Sequence, residues 1–236
     1  MKKSERPLQR IFTEVPPKYD LINRLFTLRL DEAWRRRAAN KCLEGNPSRI
    51  LDLCTGTGDL ALRLARMTGG KAEIKGIDFS HTMLEVARQK QNKNPEHPVE
   101  FIFGDAASLP FPDEYFDCTG ISFAFRNLTF RNPDTPLFLS EVLRTLKKGG
   151  RFVIVESSQA KSPVLRKLVH FYMKHIVCRM GQIISGNKGA YQYFSFSVIH
   201  FYEPEEIRDI LRKAGFSDVS YETLFGGVAA IHVAIK

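Results

Sequence analysis

Arg49-Ile50-Leu51-Asp52-Leu53-Cys54-Thr55-Gly56-Thr57-Gly58-Asp59-Leu60 is the stretch whose reading decides the fold. Residues 49–53 form a short β-like run. Residues 54–59 form a turn with glycines two apart, and 60–67 have helical apolar spacing, ended by Gly69-Gly70. A strand, a glycine bend and a helix start, in that order, let a backbone approach a ligand closely.

The same alternation continues outward. A second strand is expected over about 72–78, then a helix from the N-cap Ser80 to about 92, and a third strand over Val99–Phe103. Leu109-Pro110-Phe111-Pro112 breaks any helix before a fourth strand at about 117–123. A helix at about 135–147 leads through Gly149-Gly150 into a fifth strand, Arg151–Glu156. Residues 157–202 read as helical, irregular and aromatic. Pro204 then opens a helix over 204–214, which Gly215 stops. Runs at about 217–225 and 228–235, split by Gly226-Gly227, suggest an antiparallel pair at the sheet edge. The expected fold is α/β, a Rossmann-like seven-stranded and mostly parallel sheet, with a helical N-terminal segment and a helical insert after strand five.

Composition bounds the function. The chain of 236 residues fits a single domain. It has no apolar run near the roughly 20 residues that span a bilayer, and no signal-peptide pattern at its start. The four scattered cysteines (Cys42, Cys54, Cys118, Cys178) form no C-x-x-C pair, so they read as reduced thiols of a cytoplasmic protein, and no metal site is expected. The net charge of +9 is segregated: residues 1–49 carry twelve Lys/Arg against six Asp/Glu, and residues 157–202 carry six Lys/Arg and no acid. A near-neutral core with two cationic attachments is not the pattern of a uniformly basic nucleic-acid binder, and no nucleic-acid partner is expected.

Three strand ends converge on one crevice, the usual ligand position in an open α/β sheet. Asp78 ends the second strand twenty residues beyond Gly58, where its carboxylate can accept two ribose hydroxyls. Asp105-Ala106 ends the third, where an acid can accept from an adenine amino group with the Ala106 amide beside a ring nitrogen. Gly56-x-Gly58-x-x-Ala61 also fits a relaxed dinucleotide fingerprint. A nicotinamide enzyme, however, needs room for a pyrophosphate and a proton relay, and no Tyr-x-x-x-Lys pair occurs. S-adenosylmethionine (SAM) has no phosphates, so two glycines suffice, and SAM is the expected cofactor. The chain then divides into a helical cap (1–48), a SAM-binding core (49–156), a substrate-cover insert (157–202) and a closing helix and strand pair (203–236).

Further blocks carry a family resemblance over nearly the whole chain. They are Tyr19-Asp20-Leu21-Ile22-Asn23 with Trp34-Arg35, the loop Leu51–Leu60, and Leu109–Asp113 through Phe116-Asp117. Ile121-Ser122-Phe123-Ala124-Phe125-Arg126-Asn127-Leu128 is the most specific. Gly186-Asn187-x-Gly189-Ala190-Tyr191-x-Tyr193 with Ser197, and Gly226-Gly227-Val228-Ala229-Ala230-x-His232, complete the set. The chain resembles the quinone C-methyltransferases of ubiquinone and menaquinone biosynthesis. It departs from them at Cys54-Thr55, where small residues are usual, at Ala124-Phe125, where Gly-Leu is common, at Asp105, often Asn, and at Pro204, which sits late.

The resemblance implies SAM-binding roles for Thr57, Asp78, Asp105, Ala106 and Ser122 beside Gly56 and Gly58, and methylation of a ring carbon on a prenylated hydroquinone. Arg126 is the expected catalytic group, stabilising phenolate charge with a permanent cation. Asn127 would orient it, and Tyr19 and Asn23 would close over the site. His175 or His200 is available as a base, although a lone histidine is more often structural. The insert's aromatic residues suit a lipophilic quinol, and its acid-free cations suit peripheral contact with an anionic membrane. A homodimer is compatible with the family. The demethylmenaquinol-to-menaquinol step leads. Alternatives are the benzoquinol precursor of ubiquinone, another apolar phenol, an RNA methyltransferase, and a SAM-binding scaffold without catalysis. Trp34-Arg35-Arg36-Arg37 also reads as an ordinary basic surface helix.

Overall fold

The computed structural model describes residues 24, 26–93, 95–185 and 188–236. Helix α1 (Leu30–Leu43) precedes β1 (Arg49–Leu53), α2 (Asp59–Thr68), β2 (Glu73–Asp78), α3 (His81–Asn92), β3 (Glu100–Phe103) and β4 (Phe116–Ser122). Then come α4 (Phe125–Thr129), α5 (Thr135–Thr145) and β5 (Leu146–Ser157). The insert consists of α6 (Pro163–Phe171), a π-helical turn (Tyr172–Val177), α7 (Cys178–Ser185) and α8 (Lys188–Ile199). Helix α9 (Pro204–Ala214), β6 (Asp218–Leu224) and β7 (Ala229–Ile235) close the chain.

The seven strands form one sheet in the order β3-β2-β1-β4-β5-β7-β6. Strands β1 to β5 pair in parallel, and β7 runs antiparallel to both β5 and β6. The returning strand therefore lies inside the pair, and β6 forms the edge.

Strand periodicity divides the core in two. Leu51, Leu53, Phe152 and Ile154 face a cluster shared with α4, α5 and α9. Their neighbours Ile50, Val153 and Val155 face a second cluster with α1, α2 and α3. Local signals set the helix ends. Ser80 Oγ accepts from Met83 N at 3.3 Å, Glu203 and Glu206 form a capping box on α9, and Gly215 ends that helix at φ 111°.

Two expectations need correction. Helix α5 ends at Thr145, two residues early, and β5 begins at Leu146, opposite Phe116. The ladder register then shifts between Phe116 and Cys118, which absorbs Lys147–Gly150 into the strand as an irregularity, with Gly149 at φ 73°. Helix α4 is too short, at five residues, to show a period in sequence.

Candidate functional site

A cavity of about 440 Å³ opens at the carboxyl ends of β1, β2, β3, β4 and β5. Its floor is the decisive loop. Beyond Leu53, Cys54 takes a left-handed φ of 54°, and Thr55 N bonds to Ile77 O at 2.9 Å, tying the bend to β2. Asp52 holds the loop from below: its Oδ2 accepts from Thr55 Oγ1 (2.6 Å) and Ala61 N (2.9 Å). Its Oδ1 is buried with no hydrogen-bond partner among the described residues. Burial raises the Asp52 carboxyl to about 7, against the Thr55 and Ala61 donors.

Asp78 Oδ2 accepts from Gly56 N at 2.8 Å, and its Oδ1 accepts from Ser80 N at 2.9 Å. Burial pushes this carboxyl up as well, against those amides. Asp105 Oδ1 accepts from Ala107 N at 2.9 Å. Asp105, Ala106, Thr57, Asp78, Gly56 and Ser122 all line the cavity.

Gly58 does not line it. A Cβ there would sit 2.9 Å from the Phe101 ring and 3.0 Å from Ala87, and its φ is 80°. Packing and helix entry require this glycine. A Cβ at Gly56, by contrast, would meet no atom within 4 Å and would point into open space.

Helix α1 supplies residues to which the sequence reading gave no role in the site. Trp34 and Arg35 are buried, whereas Arg36 and Arg37 are exposed. Arg35 donates through Nε to Ser122 Oγ (3.2 Å) and through an NH to Asp31 (3.3 Å), and lies 3.6 Å from Asp59. Lys90 Nζ reaches Thr57 Oγ1 (2.9 Å) and Asp59 (2.6 Å). Burial alone would raise the Asp59 carboxyl, but Arg35 and Lys90 override it and hold it below its ordinary value. The available signal was Asp31 and Arg35, four apart on a helix and flanking Trp34.

Arg126 also lines the cavity and is buried on α4. Its backbone N–H donates to Glu156 Oε2 at 3.0 Å, and its side-chain NH donates to Ser197 Oγ at 2.5 Å. Nε stands 3.8 Å from Glu156 Oε1, with no hydrogen-bond partner among the described residues. The guanidinium lies over the Phe194 ring, 5.1 Å from its centroid. Arg126 thus ties the ends of β4 and β5 to α8, and Asn127 lines the cavity beside it.

Neither His175 nor His200 lines the cavity; His170 does. Gln159 Nε2 donates to Val198 O and Phe201 O at 3.0 and 3.2 Å, which turns Gln159 Oε1 toward His170 Nε2 at 3.0 Å. Nε2 must therefore carry hydrogen, leaving Nδ1 as the basic nitrogen. Burial, with Arg166 and His200 adding to it, keeps His170 below its ordinary value. Among the insert's aromatic residues, Tyr172 and Phe194 line the cavity, whereas Tyr191 packs against Phe26. Tyr19 and Asn23 lie outside the described residues, as do Gly186 and Asn187. No group of three or more His, Cys, Asp or Glu among the described residues is placed to hold a metal ion.

The sequence pattern of the ubiE/COQ5 methyltransferase family matches residues 1–236. The chain belongs to that family. A demethylmenaquinone methyltransferase of Thermus thermophilus is 44% identical over 94% of this chain and 98% of its own length. One from Thermotoga maritima is 39% identical over 98% and 96%. Among solved structures, a SAM-dependent methyltransferase of Thermotoga maritima superposes with TM-score 0.66 at 22% identity, over 97% of this chain and 99% of that one. Phosphoethanolamine N-methyltransferase 2 of Haemonchus contortus, solved with SAM, gives 0.57 at 17%, over 80% and 48%. These last two likenesses show the fold. In this chain, residues of the loop from Leu51 to Leu60 and Arg126 line one cavity.

Proposed function

We propose that this chain methylates a ring carbon of demethylmenaquinol with SAM as donor, giving menaquinol. The observation that carries the reading is one cavity lined both by the strand-end acids Asp78 and Asp105 and by the buried Arg126 with Phe194 and Tyr172. The names of the full-length relatives support the choice of acceptor.

The loop and strand-end residues of the cavity fit an adenosyl sulfonium amino acid. Asp78 takes the ribose diol, and Asp105 with the Ala106 amide meets the adenine edge. Gly56 leaves space for the ligand, Thr57 and Ser122 face it, and the unpartnered Asp52 Oδ1 favours a cation nearby. Arg35 offers a counter-charge to the amino-acid carboxylate.

When bound, SAM supplies an electrophilic methyl. Arg126 would stabilise the negative charge that grows on the quinol oxygen as its proton leaves, which makes the ortho ring carbon nucleophilic. Phe194 and Asn127 hold the ring. His170 Nδ1 takes the phenolic proton, and the insert excludes water. The new carbon–carbon bond would replace the carbon–sulfur bond; His170 returns its proton to the quinol oxygen, and the ring proton passes to solvent as the site reopens, which restores aromaticity.

The test is incubation of purified protein with SAM and either demethylmenaquinol or the benzoquinol precursor, with mass spectrometry for the gain of one methyl. Demethylmenaquinol should be methylated in preference. Arg126→Ala should lower turnover about a hundredfold with SAM affinity kept, and His170→Asn should remove the acidic limb of the rate profile. Absence of product from either quinol, with SAM bound, overturns the reading.

A further inference from the structure

The helical run through α6, the π turn and α7 has two unlike faces. Its inner face lines the cavity through Arg166, Val169, His170 and Met173 and is anchored there. Met173 and Val177 pack with Phe26, Ala190 and Tyr191, and Arg166 bonds to Ala160 O and to Glu203. The outer face carries Val164, Leu168, Phe171, Ile176, Met180 and Ile183, exposed by 69, 60, 60, 39, 39 and 83%. A contiguous apolar surface of this kind needs an occupant.

The π turn makes these six side chains a single stripe. On a regular α-helix, at about 100° per residue, Ile176 would point about 140° away from Phe171, onto the buried side. The wider π turn inserts the extra residue that returns Ile176, Met180 and Ile183 to the side of Val164, Leu168 and Phe171. A π turn within a helix often marks a functional site, and here it preserves an outward apolar face across 20 residues (164–183).

The charges beside the stripe choose the occupant. Lys161, Lys167, Lys174 and Arg179 are exposed along the same run, and no acid occurs anywhere from 157 to 202. The mouth of the cavity continues the apolar surface: Leu28 and Phe225 line the cavity yet are 78 and 60% exposed. The turn that follows Phe225 reaches the first turn of α6, because a Cβ on Gly226 would lie 2.8 Å from Leu165.

We propose that this stripe is a docking surface for an anionic lipid bilayer. The run lies in the membrane plane, with Val164 to Ile183 inserted among the acyl chains and the four cations at the headgroups. The cavity mouth then opens at the lipid boundary, so that an amphiphile passes from bilayer to cavity without crossing water. The surface argument stands without the quinol reading.

The test is flotation of the full chain with vesicles of phosphatidylglycerol and phosphatidylcholine, and with vesicles of phosphatidylcholine alone. One substitution lies on each side of the π turn, Leu168→Glu and Ile183→Glu; neither side chain lines the cavity. Wild type should float with the anionic vesicles, less so at high salt. Each substitution should weaken binding about tenfold, with the melting temperature and the methylation of a short-tailed soluble quinol kept. Wild type that stays with neither vesicle overturns the proposal. So do glutamate variants that float like wild type, and a wild-type dimer that the substitutions split while no vesicle is bound. Because flotation needs neither SAM nor quinol, its failure is separate from failure of the methylation assay.

Discussion

Single residues decide what the decisive loop tolerates. Gly56 and Gly58 look alike in sequence and differ in what surrounds them. A methyl on Gly58 meets Phe101 and Ala87 at contacts that force one of them to move. Gly58→Ala is therefore expected to destabilise the fold by about 1–3 kcal/mol, with SAM affinity changed little once the protein is folded. Gly56→Ala, at φ 55° but with no clash, should cost only the left-handed strain of about 1 kcal/mol and weaken SAM. Urea denaturation beside calorimetry separates the two, and equal effects of both substitutions on both readouts would refute the distinction. The acids at the strand ends were legible because a strand followed by a turn fixes where Asp52, Asp78 and Asp105 stand. Arg35 was legible as part of a family block with Trp34, but its place in the site was not. Three consecutive arginines carry identical charge, and only the packing of Trp34, Ala38 and Cys42 against the sheet turns the first inward. His170 was hidden for a related reason: its role follows from Gln159, eleven residues away, whose amide orientation is set by the Val198 carbonyl at the end of α8 and the Phe201 carbonyl just beyond it.

At the scale of the element, the insert was the least legible part. Read at a 3.6-residue period, its exposed apolar residues fall out of phase after Phe171, so the segment looks irregular; the π turn restores the phase. The pairing of α7 with α8 is also set by one contact that no periodicity reports. A Cβ at Gly181 would stand 2.1 Å from the Tyr191 ring, so the two helices approach only because that position is bare. Gly181→Ala should push α8 outward and destabilise the insert by about 1–3 kcal/mol. Adding Tyr191→Leu should restore part of the loss. Proteolysis of the insert is the readout, and a single variant cleaved no faster than wild type would count against this account. By contrast, β1 to β4 and the C-terminal strand pair were legible to within a residue or two, since alternation against two covered faces leaves few registers open.

Across the whole molecule, stability should depend on a histidine far from the chemistry. His232 on β7 is fully buried, its Nε2 bonds to Pro204 O at 3.0 Å, and its Nδ1 has no partner among the described residues. Burial lowers it from the ordinary 6.5 to about 4, against the Pro204 carbonyl. Between these values the unfolded chain binds the extra proton and the fold does not. Stability is then full above 6.5 and falls with pH toward 4, by roughly 3 kcal/mol in all. His232→Gln should flatten that part of the pH dependence of the urea midpoint, and parallel curves for the two proteins would rule the assignment out.

The uneven charge gives the molecule one further property. With six cations and no acid between residues 157 and 202, and a deficit of three elsewhere beyond residue 49, that span of the protein carries a lasting electric moment whose positive end is the insert. Near any negatively charged plane, such a body experiences a torque within a Debye length, before it makes contact. That torque turns the insert toward the plane, in addition to the pull on the cationic residues 1–49, and its reach is governed by ionic strength.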